Sequence, residues 1–188
     1  MRVAVARVQR TSSDMPKIAY LSLGSNLGDR EDQLRDAIRR LGALGSVRAV
    51  SAIYETEPVE LTDQPQFLNC AVALESRLQP EELMRELLLI EQAMGRRRNV
   101  PKGPRTIDID IVLFGNAVVN SPEVTIPHPA MHERRFVLAP LAEIAPEIKL
   151  PLLNRSVQEL LSALPAGQGV NRLPAKADDQ SQTTNGGS

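Results

Sequence analysis

Tryptophan is absent from this sequence, cysteine occurs once, histidine twice, and aromatic residues make up only 3% of the 188 positions. The lone Cys70 excludes a disulfide framework. Two histidines and one cysteine are too few for a Cys/His zinc site. With so few rings, the core must be aliphatic. No apolar run approaches the about 20 residues of a membrane-spanning helix. Neither sign of charge is in excess: 22 Lys and Arg against 23 Asp and Glu leave a net charge of −1. That argues against a dedicated nucleic-acid binder, which carries a broad basic excess. No G-x-x-x-x-G-K-[ST] is present, so Gly24 and Gly28 do not belong to a P-loop. The start carries Arg2, Arg7 and Arg10 but no apolar core, so it is not a secretory signal, and a cytoplasmic location follows by default.

What is present reads as one soluble globular domain, with 42% hydrophobic and 24% charged residues. Residues 1–16 end in Thr11-Ser12-Ser13-Asp14 and are expected to be a disordered extension; 165–188 are polar and Gly-rich and are expected to be a disordered tail. Between them, 17–164 should fold. Lys17–Leu23 reads as a strand. Asp29 is placed to cap a helix whose stripe is Leu34, Ala37, Ile38, Leu41 and Leu44. Val47–Tyr54 reads as a second strand, Glu55–Gln66 as a long loop, and Phe67–Glu75 as a third strand. Pro80 opens a second helix that Gly95 stops. Thr106–Phe114 is the fourth strand, Val118–Val119 and Val124–Ile126 a small hairpin, and Glu133–Ile144 and Ser156–Leu164 helices. The order β-α-β-β-α-β predicts an α+β, ferredoxin-like antiparallel sheet with helices on one face and a C-terminal helical extension.

The sharpest chemical feature is Asp108-Ile109-Asp110. Alternation along a strand sends both carboxylates to one side, roughly 7 Å apart, where they repel. A hard divalent cation offsets that cost, since Mg²⁺ favours one or two protein carboxylates with waters and phosphate oxygens. The apolar flanks make this strand read as an interior one rather than a solvated edge. Just before it, Arg96 to Arg105 contains no acid and is punctuated by glycine and proline, a loop suited to gripping phosphates. Glu91 falls on an apolar helix stripe and needs a partner there. His128, Arg134 and the amide of Asn69 are further polar candidates. Phe67 and Phe136, two of only three phenylalanines, border loops where a flat heterocycle stacks.

Five segments, Gly24-Ser25-Asn26-Leu27-Gly28, Tyr54-Glu55-Thr56-Glu57-Pro58, Asp63 to Asn69, Gly103-Pro104-Arg105-Thr106-Ile107-Asp108-Ile109-Asp110 and Pro127-His128-Pro129, resemble those of 6-hydroxymethyl-7,8-dihydropterin pyrophosphokinases. The resemblance runs from about Ile18 to Pro151. It implies a monomer that uses ATP and two Mg²⁺ ions to place a diphosphate on the pterin hydroxymethyl group, a step of tetrahydrofolate synthesis. Asp108 and Asp110 match the metal-binding aspartates, and Arg96 and Arg105 the catalytic-loop arginines. Glu91, Arg98, Ile111, Thr125, His128 and Arg134 match positions around ATP; Thr56, Val59, Phe67, Asn69 and Phe136 match the pterin pocket. Lys102 stands where many members have an aromatic, Pro101 where others have a basic residue, and Pro129 where a Tyr is frequent. Two alternatives remain at this point: another metal-dependent phospho- or nucleotidyltransferase, and a non-catalytic ferredoxin-like module.

Overall fold

The computed structural model describes residues 15–58, 63–96, 103–165, 167 and 169–174. Lys17–Ser25 forms β1, in which Ala19, Leu21 and Leu23 alternate with Ile18, Tyr20 and Ser22. It runs antiparallel to both β4 (Phe67–Ser76) and β5 (Asp108–Phe114). Asp29 caps α1 (Arg30–Leu41) as expected, its carboxylate accepting the Asp32 N–H at 3.2 Å. Pro80 opens α2 (Pro80–Ala93), which buries Leu83, Leu87 and Glu91. Both helices pack on the sheet face that carries Leu21, Leu23, Cys70, Val72, Leu74, Ile109 and Ile111. Burial pushes the Cys70 thiol up to about 12, so it is an inert core hydrophobe.

The opposite face carries Tyr20, Ala71 and Val112. Against it lie α3 (Arg135–Ile144) and α4 (Val157–Ala163), through Leu138, Leu141, Val157 and Leu160. The α+β, ferredoxin-like reading therefore holds, and its helical extension covers the second face of the sheet. Covered on both sides, β4 is buried almost continuously instead of alternating. The expected hairpin is β6 (Val119–Asn120) with β7 (Thr125–Ile126), followed by the cis Ile126–Pro127 peptide. Among the described residues, no helix is long and apolar enough to cross a membrane.

Three expectations need correction. The single strand at 47–54 is two, β2 (Ser46–Val50) and β3 (Tyr54–Thr56), each antiparallel to a different part of β4. Between them the buried Ser51 keeps contact with Ala71: its hydroxyl accepts the Ala71 N–H at 2.9 Å, and its own N–H donates to the Ala71 carbonyl at 2.9 Å. Second, β5 is not interior. The sheet order is β5-β1-β4-β3-β8, where β8 is Val170–Arg172, with β2 also on β4, so β5 has one strand partner among the described residues. Its apolar flanks reflect helices on both faces. Its open edge is closed by Glu91, which accepts the Ile109 N–H at 2.7 Å, and by the His128 N–H, which donates to the Val112 carbonyl at 3.0 Å. Third, Val170–Arg172, expected to be disordered, form β8 against β3.

Candidate active site

Strand register builds the site. On β1, Ser22 stands across from Asp110 on one side and Ala71 on the other; Gly24 stands across from Asp108 and Asn69. With a period of two, these side chains share one face. Gly24 is required by its neighbour, since a Cβ there would lie 2.8 Å from Asn69 Oδ1. Here the face opens into a cavity of about 390 Å³, within the roughly 300–1,000 Å³ of small-molecule sites. Lining it are Ser22, Gly24, Thr56, Glu57, Pro58, Gln64, Phe67, Asn69, Met84, Glu91, Arg96, Arg105, Asp108, Asp110, Arg134 and Phe136.

At one end the cavity is charged. Asp108 Oδ1 pairs with Arg96 Nη1 at 2.6 Å, and its Oδ2 with Arg105 Nη1 at 2.7 Å. The same Arg96 nitrogen also pairs with Glu91, which is only 2% exposed. Burial raises the Glu91 carboxyl above its usual range, while Arg96 and the Ile109 N–H pull it back. No hydrogen bond or ion pair joins the Asp110 carboxylate to another described residue. Its carboxyl is pushed up to about 7, first by burial and then by the charges of Asp108 and Glu91, against the opposing pull of Arg134 and Arg96. The two aspartates thus face one cavity as expected, but Asp108 is already neutralised by arginine and Asp110 is not. Among the described residues, no three His, Cys, Asp or Glu side chains converge on a point. This donor set fits a hard cation that completes its shell with water and phosphate rather than an all-protein cage.

The other end is amide and aromatic. Asn69 Nδ2 donates to Thr56 Oγ1 at 2.7 Å, both residues being buried. The Arg105 guanidinium lies 5.6 Å from the Phe67 ring centroid, and that of Arg134 lies 5.7 Å from Phe136. These rings join the charged end to the aromatic end.

Residues 20–146 match the family model of 7,8-dihydro-6-hydroxymethylpterin-pyrophosphokinase (HPPK). The chain belongs to this family. A Bacillus subtilis 2-amino-4-hydroxy-6-hydroxymethyldihydropteridine pyrophosphokinase is 50% identical over 137 residues, 72% of this chain and 82% of that protein. The Pseudomonas aeruginosa protein of the same name is 42% identical over 157 residues, 82% and 96% of the two chains. The fission-yeast folic acid synthesis protein fol1 is 43% identical over 92% of this chain, which spans only 24% of that longer protein. A Plasmodium falciparum HPPK-DHPS crystal structure with pteroate shares the fold, with a TM-score of 0.62 at 16% identity over 81% of this chain and 43% of that one.

Of the candidates from the sequence, Glu91, Arg96, Arg105, Asp108, Asp110, Arg134, Thr56, Phe67, Asn69 and Phe136 meet at the cavity. Ile111 lies in the core, and Thr125 is exposed on the hairpin. His128 is half-buried beside β5; its Nδ1 accepts the Ala130 N–H at 3.2 Å, and burial, then Arg134, lowers its pKa. Val59, Arg98, Pro101 and Lys102 lie outside the described residues. Ser22, Gln64 and Met84 line the cavity without having been singled out. Nor was Asn26, which bonds to Gln64, to the Pro65 carbonyl and to the Arg105 backbone. Ser22 was findable, since it faces the same way as Gly24 one alternation earlier. Asn26 and Gln64 fall inside the family-like segments, but nothing local marks them as contacts.

Proposed function

We propose that the cavity holds ATP and a reduced pterin side by side, with phosphates over Asp108 and Asp110 and the pterin between Phe67 and Phe136. A family member of this kind is an enzyme that transfers a diphosphate from ATP to the hydroxymethyl group of 6-hydroxymethyl-7,8-dihydropterin in folate synthesis. The hydroxymethyl oxygen bonds to the β-phosphorus, the bond from that phosphorus to the α-phosphate oxygen breaks, AMP leaves with the electron pair, and the hydroxyl proton passes to solvent. The observation that carries the reading is Asp110, a carboxylate lining the cavity that makes no ion pair with a described residue, while its partner Asp108 makes two.

Asp108 and Asp110 would hold Mg²⁺, two ions in this reading. When bound, Mg²⁺ neutralises phosphate charge and lowers the pKa of the attacking hydroxyl. Arg96 and Arg105 let go of Asp108 and offset the charge that builds on the transferred group. Glu91 holds Arg96 from behind. Arg98, Arg134, His128, Thr125 and Ile111 belong to the nucleotide side, and Thr56, Val59 and Asn69 to the pterin side, where an amide reads a donor–acceptor edge. The proposal extends to a monomer acting in a cytoplasmic setting, where ATP is plentiful.

The test is a product assay with purified protein, ATP, Mg²⁺ and 6-hydroxymethyl-7,8-dihydropterin. AMP is expected. ADP would mean phosphoryl transfer and free pyrophosphate nucleotidyl transfer, and either would refute the reading. A non-catalytic module is disfavoured because it has no use for the acidic pair.

A further inference from the structure

β3 is three residues long, yet it carries Thr56 and leads directly into Glu57 and Pro58, all of which line the cavity. One of its edges pairs with Phe67–Asn69 of β4. The other is covered by β8: Thr56 stands across from Val170, Glu55 from Asn171 and Tyr54 from Arg172. The Leu173 N–H adds a bond to the Ile53 carbonyl at 2.8 Å, and the Leu173 side chain packs against the main core. Gly169 lies close against Glu57, since a Cβ there would be 3.4 Å from the Glu57 carboxyl carbon.

A single carboxylate fastens this corner. Glu143 of α3 accepts the Ala52 N–H at 3.2 Å and an Arg172 Nη2 hydrogen at 3.2 Å on Oε1, and the Tyr54 hydroxyl at 2.8 Å on Oε2. The helix it stands on also supplies Phe136 to the cavity. Glu143 therefore joins the element bearing Phe136, the element bearing Thr56, and the C-terminal strand. Without β8, a three-residue strand would hold on one side only, and such an edge opens at small cost.

We propose that β8 and its Glu143 clamp position the pterin-side wall, with Glu143, Tyr54 and Arg172 as positioning residues that touch no substrate. This rests on the pterin occupying the Thr56–Phe136 end. The aspartates stand on β5, at the far end of the strand order, so the effect is specific to the pterin and spares ATP.

The experiment compares the intact chain, a chain ended after Pro174, one ended after Pro165, and Glu143→Ala in the intact chain. The KM of each substrate, Tm, and pterin affinity by ligand fluorescence are measured for each. Ending after Pro174 keeps β8 and should change nothing. Ending after Pro165 keeps the Arg135 bond to the Leu164 carbonyl but removes β8. It should raise the pterin KM about tenfold while the ATP KM stays within about twofold, and Glu143→Ala should raise the pterin KM about threefold with the same selectivity. A lowered Tm with an unchanged pterin KM, or an equal rise in both KM values, overturns the proposal. If the shortened chain does not fold, Glu143→Ala decides alone. An intact chain that yields no AMP defeats the reading of the preceding section; β8 is then judged on pterin affinity, and an affinity indifferent to its loss overturns the proposal.

Discussion

Asn26 and Arg105 are joined twice: the Arg105 N–H donates to Asn26 Oδ1 at 2.8 Å, and the Asn26 N–H donates to the Arg105 carbonyl at 3.1 Å. The remaining amide group of Asn26 donates to Gln64 Oε1 and to the Pro65 carbonyl, each at 3.1 Å. One buried side chain thus ties the segment before Phe67 to the residue that grips Asp108. Asn26→Ala leaves these polar groups without their partner and should destabilise the fold by about 1–3 kcal/mol. It should also lower kcat/KM by roughly 10–100-fold, because a small misplacement of a reacting group is costly. Denaturant melts and steady-state kinetics at a temperature where the variant is folded check both. A variant with normal kcat/KM would show that the two segments hold their places independently.

Gly24 lies two residues before Asn26, near the end of β1, and its lack of a side chain is what admits Asn69. Gly24→Ala puts a methyl 2.8 Å from Asn69 Oδ1, closer than van der Waals contact allows, so the amide must move and strain its bond to Thr56. Pterin affinity should fall about tenfold, since a displaced amide leaves paired polar groups of a ligand unmatched. ATP binding at the other end should change much less. Fluorescence titration of the pterin against calorimetric titration of ATP separates the two.

Asp110 illustrates function opposed to stability. Its folded carboxyl stands at about 7, raised by burial and by Asp108 and Glu91 from the ordinary 3.8. Between those values the folded chain binds a proton that the unfolded chain does not, so raising the pH weakens the metal-free fold; the loss is complete above about 7. Asp110→Asn has no such term. Its Tm should exceed that of the parent by several degrees or more at pH 8 without metal, and the two should converge near pH 4. Turnover with Mg²⁺ and ATP should fall at least ~10³-fold. Equal melting temperatures at pH 8 would mean that Asp110 is better solvated than its position implies.

The elements that were legible were those with local signals. Alternation found β1, the apolar set Leu68, Cys70, Val72 and Leu74 on one face found β4, the Asp29 cap and helical spacing found α1, and Pro80 marked the start of α2. The acidic pair was legible for the same reason, as a period of two fixes a shared face whatever the neighbours. Pairing order was not. The flanks of β5 are apolar because of helices on both faces, which an interior strand would show equally. β8 escaped notice because Val170-Asn171-Arg172 has little strand character of its own; Glu143 and β3, both distant in sequence, hold it. The engagement of Asp108 by two arginines likewise depends on where the loop returns, not on its composition.

That engagement leads to the last expectation. Arg96 Nη1 sits 2.6 Å from Asp108 Oδ1, an oxygen that a cation shared with Asp110 would also use. In the nucleotide-free protein the guanidinium and a divalent ion therefore compete. Arg96→Ala should tighten binding of Mg²⁺, or of Mn²⁺ as a spectroscopic probe, by at least about threefold, since this pair is largely buried and less screened than a surface pair, which is worth under about 1 kcal/mol. The same substitution should lower kcat about 100-fold, because charge on the transferred diphosphate loses a donor that was already in place. It also removes one counter-charge from the buried Glu91, so a lower Tm is expected and must be measured alongside. Metal titration of parent and variant by electron paramagnetic resonance gives the first number, and single-turnover AMP formation the second. Weaker metal binding in the variant would mean that Arg96 orients Asp108 for the ion instead of standing in its place.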